Sequence, residues 1–178
     1  MKILAFIGSP RKGSNTELVV DAILNGAAEN NHLTQKVYLY DEDIKPCQDC
    51  KACKKGTFAC FTKDSMQKLY PLMEEAQVLV FGTPLYWYGA SAKMKLLLDR
   101  LRPFVESKKL RGKKAVLVVP SEEGPEACNY TVGMFNLSFK YLDVDLVATI
   151  LPKASERAEV KSQPDTLKAA FEIGRNIK

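Results

Sequence analysis

Ile3-Leu4-Ala5-Phe6-Ile7-Gly8-Ser9-Pro10-Arg11-Lys12-Gly13-Ser14-Asn15-Thr16-Glu17 decides the fold. A short, continuous apolar run ending at a glycine reads as a strand buried on both faces, which is the habit of a parallel sheet. Ser14 and Glu17 stand at capping-box spacing, so a helix starts there, and Leu18, Val19, Ala22, Ile23 and Ala27 give it one apolar stripe. A strand, a tight polar turn and a helix in that order form the opening unit of an α/β protein.

The same unit recurs. Val78 to Phe81 before Gly82 and Ala115 to Val119 before Pro120 are two more buried strands, while Leu33 to Tyr40 and Val144 to Ile150 carry polar residues suited to sheet edges. Met94, Leu97, Leu98 and Leu101 mark a helix. Another is expected around Met66, Leu69, Tyr70 and Met73, with Asp64 and Gln67 as a capping pair and a kink at Pro71. Tyr130, Met134, Leu137 and Tyr141 suggest a fourth, and Pro164 with Leu167, Ala170 and Phe171 a fifth. Five strands and five helices predict a three-layer α/β sandwich with a parallel sheet in the order 2-1-3-4-5. At 178 residues this is one domain over 1–178, with a cysteine-rich insertion at about 41–63.

A net charge of +5 and a pI near 8.9 come from scattered Lys and Arg, which gives no nucleic-acid footprint. The apolar run after Met1 is too short for a secretory leader and nothing is long enough to span a bilayer, so a cytoplasmic protein without membrane contact is expected. The single histidine, His32, reads as a surface residue.

Two loops carry ligand chemistry. After the first strand, the start of the helix offers free backbone N–H groups and a positive dipole end, supplemented by Ser9, Ser14 and Thr16 hydroxyls and by Arg11. Ser14 stands where a nucleoside triphosphate loop has lysine, and no G-x-G-x-x-G is present, so a terminal monophosphate fits better. After the third strand comes Gly82-Thr83-Pro84-Leu85-Tyr86-Trp87-Tyr88-Gly89-Ala90-Ser91, whose successive aromatics cannot all face one core. Both loops leave the carboxyl end of neighbouring strands, at the switch point where such sheets bind ligands. A phosphate cradle beside an aromatic platform describes a ligand such as FMN.

Gly8 to Thr16, Thr83-Pro84-Leu85-Tyr86-Trp87 and Met94-Lys95-Leu96-Leu97-Leu98-Asp99-Arg100, together with the cysteine block below, resemble the flavodoxin-like NAD(P)H-dependent FMN reductases and, more narrowly, their iron-sulfur flavoproteins. The resemblance implies a flavodoxin-like fold. It implies that Ser9, Arg11, Ser14, Asn15 and Thr16 hold the FMN phosphate and that Pro84, Leu85, Tyr86 and Trp87 border the ring. It also implies a third flavin loop at Pro120 to Pro125, bringing Ser121 and Glu122 to the cofactor, and a homo-oligomer, dimer or tetramer.

Four of the five cysteines lie in Cys47-x2-Cys50-x2-Cys53-x6-Cys60, within a polar loop that has no apolar period to bury them. Three thiols in so short a span and a fourth after a longer gap suit a 4Fe-4S cluster. A structural zinc, which more often joins two separated Cys pairs, and metal-free thiols are the other readings. Cys128, outside the block, reads as a packed thiol. The block leaves the second strand at the same sheet end as the phosphate loop, so flavin and cluster are expected on one face.

The leading expectation is an oxidoreductase in which FMN takes electrons from NAD(P)H or a reduced carrier such as ferredoxin and a cluster passes them singly to a small-molecule or protein acceptor. No side-chain acid or base is assigned. The alternatives are a cluster-free NAD(P)H-dependent FMN, quinone or azo reductase and, from another class, a zinc-stabilised non-catalytic interaction module.

Overall fold

In the computed structural model, which describes residues 1–178, the main strands are β1 (Lys2–Ile7), β2 (Leu33–Tyr38), β3 (Val78–Gly82), β4 (Lys114–Val118) and β5 (Asp145–Ile150). They form one sheet in the order β2-β1-β3-β4-β5, parallel throughout. All of β3 is buried, whereas β2 and β5 alternate or expose their residues, as edge strands do.

Helices α1 (Asn15–Ala28) and α6 (Pro164–Asn176) cover one face through Val19, Val20, Ile23 and Ala170. The other face carries α2 (Met66–Glu75), α3 (Ala92–Asp99), α4 (Pro103–Ser107) and α5 (Asn129–Tyr141). At the centre of that layer Phe81 packs on Phe6, Phe135 and Phe139 with ring centroids 5.0 to 5.8 Å apart. The outer helices meet at two glycines. A methyl on Gly174 would lie 1.9 Å from the Ile23 carbonyl oxygen, and one on Gly26 2.0 Å from that of Phe171.

Four expectations change. The helix after the aromatic loop ends at Asp99 and restarts as α4, giving six helices rather than five, because Pro103 has no N–H to continue the ladder and takes a first-turn position instead. The row Tyr130, Leu137 and Tyr141 on α5 faces outward, 79%, 72% and 67% exposed, while Thr131, Phe135 and Phe139 face the sheet. Asp64 and Gln67 do not cap each other: Asp64 accepts the N–H of Met66, and the Gln67 amide donates to the Cys60 and Thr62 carbonyls. The second strand stops at Tyr38, after which Leu39–Asp41 form a 3₁₀ turn. No helix is long and apolar enough to cross a membrane.

Candidate functional site

The loops after β1 and β3 are stitched together from below. Gly8 N–H donates to the Gly82 carbonyl at 2.7 Å, and the buried Ser91 hydroxyl donates to the Gly8 carbonyl at 2.6 Å while its own N–H donates to Thr83 Oγ1 at 2.9 Å. A Cβ on Gly8 would approach Ser91 Oγ, Gly82 O and Met94 Cβ to 3.0–3.1 Å, so a larger residue there would push the two loops apart by a few tenths of an ångström. Ser14 caps α1 through the Glu17 N–H at 3.3 Å. The Glu17 carboxylate accepts from Gly13 N–H at 2.6 Å, from Lys36 Nζ at 2.8 Å and from the Tyr38 hydroxyl. Burial alone would raise its pKa, but these donors hold it below the ordinary range. The loop is thus set from beneath by a carboxylate whose charge Lys36 balances, and the first-turn N–H groups of Ser14, Asn15 and Thr16 have no partner within the chain.

Above them opens a cavity of about 300 Å³. Ser9, Arg11, Ser14, Asn15 and Thr16 line it from the first loop, Pro84, Leu85 and Tyr86 from the third strand's loop, and Pro120, Ser121 and Glu122 from the loop after β4. Ser121 Oγ is buried there with no hydrogen-bond partner. The hydroxyl lies beside the buried Cys128 thiol rather than at the open surface of the cavity.

Trp87 does not line the cavity. Leu85–Tyr86 and Gly89–Ala90 pair as a short antiparallel ribbon, with Trp87 and Tyr88 at its tip, both left-handed at φ 48° and 59°. A two-residue turn of this hand matches strand twist but favours Asn-Gly over aromatics. The turn carries the indole outward, 97% exposed, while the Tyr88 carbonyl is anchored by the Thr131 hydroxyl at 2.9 Å.

The fourth wall escaped sequence reasoning. Ala154, Ser155, Glu156 and Arg157, after β5, close the cavity. Asn15 holds them: its amide donates to the Glu156 carbonyl at 2.7 Å and its Oδ1 accepts the Val160 N–H at 3.1 Å. Arg157 donates to the Lys12 carbonyl at 2.5 Å, tying the segment to the phosphate loop. Asn15 is therefore a clip between the two walls as well as a lining residue. The available signal was only a cation in a polar stretch after an edge strand.

The four clustered cysteines are free thiols lining one small cavity, of about 20 Å³, together with Tyr70, Arg100 and Arg102. No three His, Cys, Asp or Glu side chains are grouped so as to hold a single metal ion. A single zinc gathers all its thiolates at about 2.3 Å from one point, whereas a cubane takes each thiolate at a separate iron. The thiols as they stand, around a cavity of about 20 Å³, form neither arrangement. Cys128 is buried and donates weakly to the Val119 and Gly124 carbonyls, as a packed thiol does.

The cysteine loop does not stay at the carboxyl end of the sheet. It begins there, but its cavity is walled by Asp99 to Pro103 at the far end of α3, whose N-cap is the Ser91 that binds the Gly8 carbonyl. Eight helical residues span about 12 Å, so the two sites are separated by the length of α3 rather than sharing one face.

Arg100, at the end of α3, is buried against Asp64, the side chains 1% and 0% exposed. Burial would raise the Asp64 pKa, yet Arg100 and the N–H groups of Lys45 and Met66 hold the carboxyl below the usual carboxylate range. A carboxylate with a depressed folded-state pKa contributes stability above its unfolded value, near 3.9, and loses it as pH falls through the folded value. Asp64→Ala leaves a buried guanidinium unpaired and is expected to cost about 3–5 kcal/mol, lowering the melting temperature at pH 7 by about 6–20 °C. The deficit relative to wild type is expected to shrink in melts taken below about pH 4; an unchanged melting temperature at pH 7 would count against the pair.

Comparison with known proteins adds the following. The family model described as NADPH-dependent FMN reductase matches residues 1–155. An iron-sulfur flavoprotein of Methanocaldococcus jannaschii is 37% identical over 126 residues, which is 70% of this chain and 65% of that one, so the chain spans just under two thirds of that relative's length. An iron-sulfur flavoprotein of Archaeoglobus fulgidus is 31% identical over 175 residues, covering 98% of this chain and 80% of that one. The solved NAD(P)H:quinone oxidoreductase from Methanothermobacter marburgensis superposes with a TM-score of 0.79 at 17% identity over 100% of this chain and 99% of that one, a likeness of fold.

Proposed function

Because the chain belongs to the NADPH-dependent FMN reductase family, we propose that it binds FMN in the cavity above β1, β3 and β4 and acts as an FMN-dependent oxidoreductase. The observation that carries this reading is the cavity itself: unpartnered N–H groups at the start of α1 beside Arg11 at one end, and the walls formed by Pro84, Leu85 and Tyr86 and by Pro120, Ser121 and Glu122. When bound, FMN supplies hydride acceptance and single-electron release. The chain's residues bind and orient it. Ser9, Arg11, Ser14, Thr16 and the N-terminus of α1 take the phosphate, Arg157 adds a second cation from the opposite wall, and Pro84, Leu85, Tyr86, Ser121 and Glu122 border the ring. Trp87, outside the cavity, is left to whatever approaches from solvent.

The electron donor in this reading is NAD(P)H or a reduced carrier such as ferredoxin, the acceptor a small molecule or a protein, and the assembly a homo-oligomer, for which the outward row of Tyr130, Leu137 and Tyr141 offers apolar surface. Cys47, Cys50, Cys53 and Cys60 are the residues that would hold a 4Fe-4S cluster, which would supply one-electron transfer. A cluster-free NAD(P)H-dependent reductase of FMN, quinones or azo compounds is the second reading, favoured by the closed state of the cysteine cavity. Family membership sets aside the non-catalytic zinc module.

Anaerobic purification with an absorption spectrum and assays of FMN, iron, acid-labile sulfide and zinc tests both. FMN with iron and sulfide supports the first reading, FMN alone the second, and absence of flavin binding sinks both. Arg157→Ala is expected to weaken FMN by about 10–100-fold, the value of a hydrogen bond to a charged group, while riboflavin affinity changes less than threefold. Titration by flavin fluorescence checks this, and equal losses for the two ligands would remove Arg157 from phosphate recognition.

A further inference from the structure

Trp87 is the chain's only tryptophan, and it belongs neither to the core nor to the lining of the cofactor cavity. At 97% exposure its indole has no packing partner within the chain. Its backbone is left-handed, as is that of Tyr88 after it, at φ 48° and 59°. Residues with a Cβ seldom adopt that region, and bulky ones are strained there. A two-residue hairpin turn asks for Asn-Gly at these positions, and the chain has Trp-Tyr instead. Nor is the turn free to relax. Leu85 N–H donates to the Pro120 carbonyl at 3.1 Å on one side, and the Tyr88 carbonyl accepts the Thr131 hydroxyl at 2.9 Å on the other. Such strain, held in place around a ring that packs on nothing, is found where a ligand is clamped rather than where a core is filled.

Position decides which ligand. Tyr86, the residue before, lines the cofactor cavity and is 44% exposed, so the indole stands beside the cavity's mouth. The cavity, about 300 Å³, is at the lower end of the range for small-molecule sites, and FMN fills it. The second reactant is therefore held outside, against Tyr86 and Trp87. On that side the lining is Pro84, Leu85, Tyr86, Pro120, Ser121 and Glu122, with no cation among them, so it matches a flat uncharged ring and not a polyanion. We propose that Trp87 is a specificity-determining residue, an aromatic platform on which a planar, uncharged reactant lies at the mouth of the FMN cavity. This rests on the FMN reading above. An indole presents a large apolar face, and offset stacking adds to the area it buries. Because the turn is already fixed, little freedom is lost when the ring docks. The interaction is binding alone, and no bond to Trp87 forms or breaks.

The test is equilibrium dialysis of duroquinone, a planar uncharged quinone with no open ring position for thiols to attack, against the full chain loaded with FMN. In wild type the emission of Trp87 should fall as duroquinone binds. Trp87→Leu keeps apolar bulk without a ring and is expected to weaken duroquinone about tenfold, and Trp87→Phe less than about threefold. FMN affinity should be that of wild type in both. The double variant Trp87→Asn with Tyr88→Gly gives the turn its preferred residues. It is expected to bind duroquinone as weakly as Trp87→Leu and to melt at or above the wild-type temperature. Equal duroquinone affinity in Trp87→Leu and Trp87→Phe overturns the platform, as does a parallel loss of FMN, which would place the indole on the cofactor. A Trp87→Leu protein that sediments as a smaller assembly than wild type also overturns it, since the indole would then pack on a second copy of the chain. So does a double variant that melts below wild type, because the aromatic pair would then serve the fold. Wild-type chain that binds no FMN overturns the FMN reading and this role together, whereas FMN-loaded wild type that takes up no duroquinone overturns this role alone.

Discussion

Gly174→Ala is expected to lower stability by about 3 kcal/mol or more, with a melting temperature at least about 6 °C below wild type and new proteolytic sensitivity in α6. The added methyl would sit 1.9 Å from the backbone oxygen of Ile23, and backbone cannot rotate out of the way as a side chain can. The only relief is to separate α6 from α1, which exposes Ala170 and the residues it covers. Gly133→Ala is the matched control, because nothing lies within 4 Å of the added atom and the position is inside α5. There the gain in helix propensity predicts a rise of about 0.5–1 kcal/mol. Thermal melts of the two variants, side by side, decide whether the close crossing is what holds α6; a Gly174→Ala melt within 2 °C of wild type would show that it is not.

Under the cluster reading, Cys60→Ser is expected to strip the cysteine loop of iron and sulfide while leaving FMN bound at wild-type stoichiometry. Changes in outer-shell partners alone cost about 10–100-fold in metal affinity, and loss of a ligating thiolate goes beyond that. FMN is retained because the two cavities share no lining residue. Cys60 is the informative choice among the four. Burial acts against its thiolate, but the Thr62 N–H and hydroxyl and then Arg100 bring its pKa below the usual thiol range, whereas burial and the neighbouring Cys60 push Cys53 up. Cys128→Ser, which alters a buried thiol that donates to the Val119 and Gly124 carbonyls and does not line the cysteine cavity, should leave the iron content as in wild type. Iron content independent of Cys60 would remove it from the ligand set, and variants that lose FMN together with iron would contradict the separation of the two sites.

Strand order and the first two walls of the cofactor cavity were legible in the sequence because both depend on local signals: apolar runs that end at Gly8 and Gly82, and small polar residues before a capped helix. The misreadings arise where local pattern and tertiary environment part. On α5, Tyr130, Leu137 and Tyr141 have helical spacing, as do Thr131, Phe135 and Phe139, and only the position of Phe81 beneath them decides which row is core. Trp87 is set beside the ring by the family resemblance alone, and a left-handed two-residue turn reverses the chain there and sends the indole outward. The pairing of buried Arg100 with Asp64 left no sign in the sequence, since the two lie 36 residues apart, a separation no period records. The cysteine spacing put four thiols in one loop, but not at the far end of α3, where their cavity lies.

The clip made by Asn15 joins stretches that are 141 and 145 residues apart in the chain, through the Glu156 carbonyl and the Val160 N–H. Pairings of such sequence separation form late in folding, so a partly folded chain can pair β1 with β2 and β3 while the wall from Ala154 to Arg157 still stands open. A ligand held between the two walls therefore stabilises only the chain in which the clip has closed, in proportion to the logarithm of its concentration over the dissociation constant.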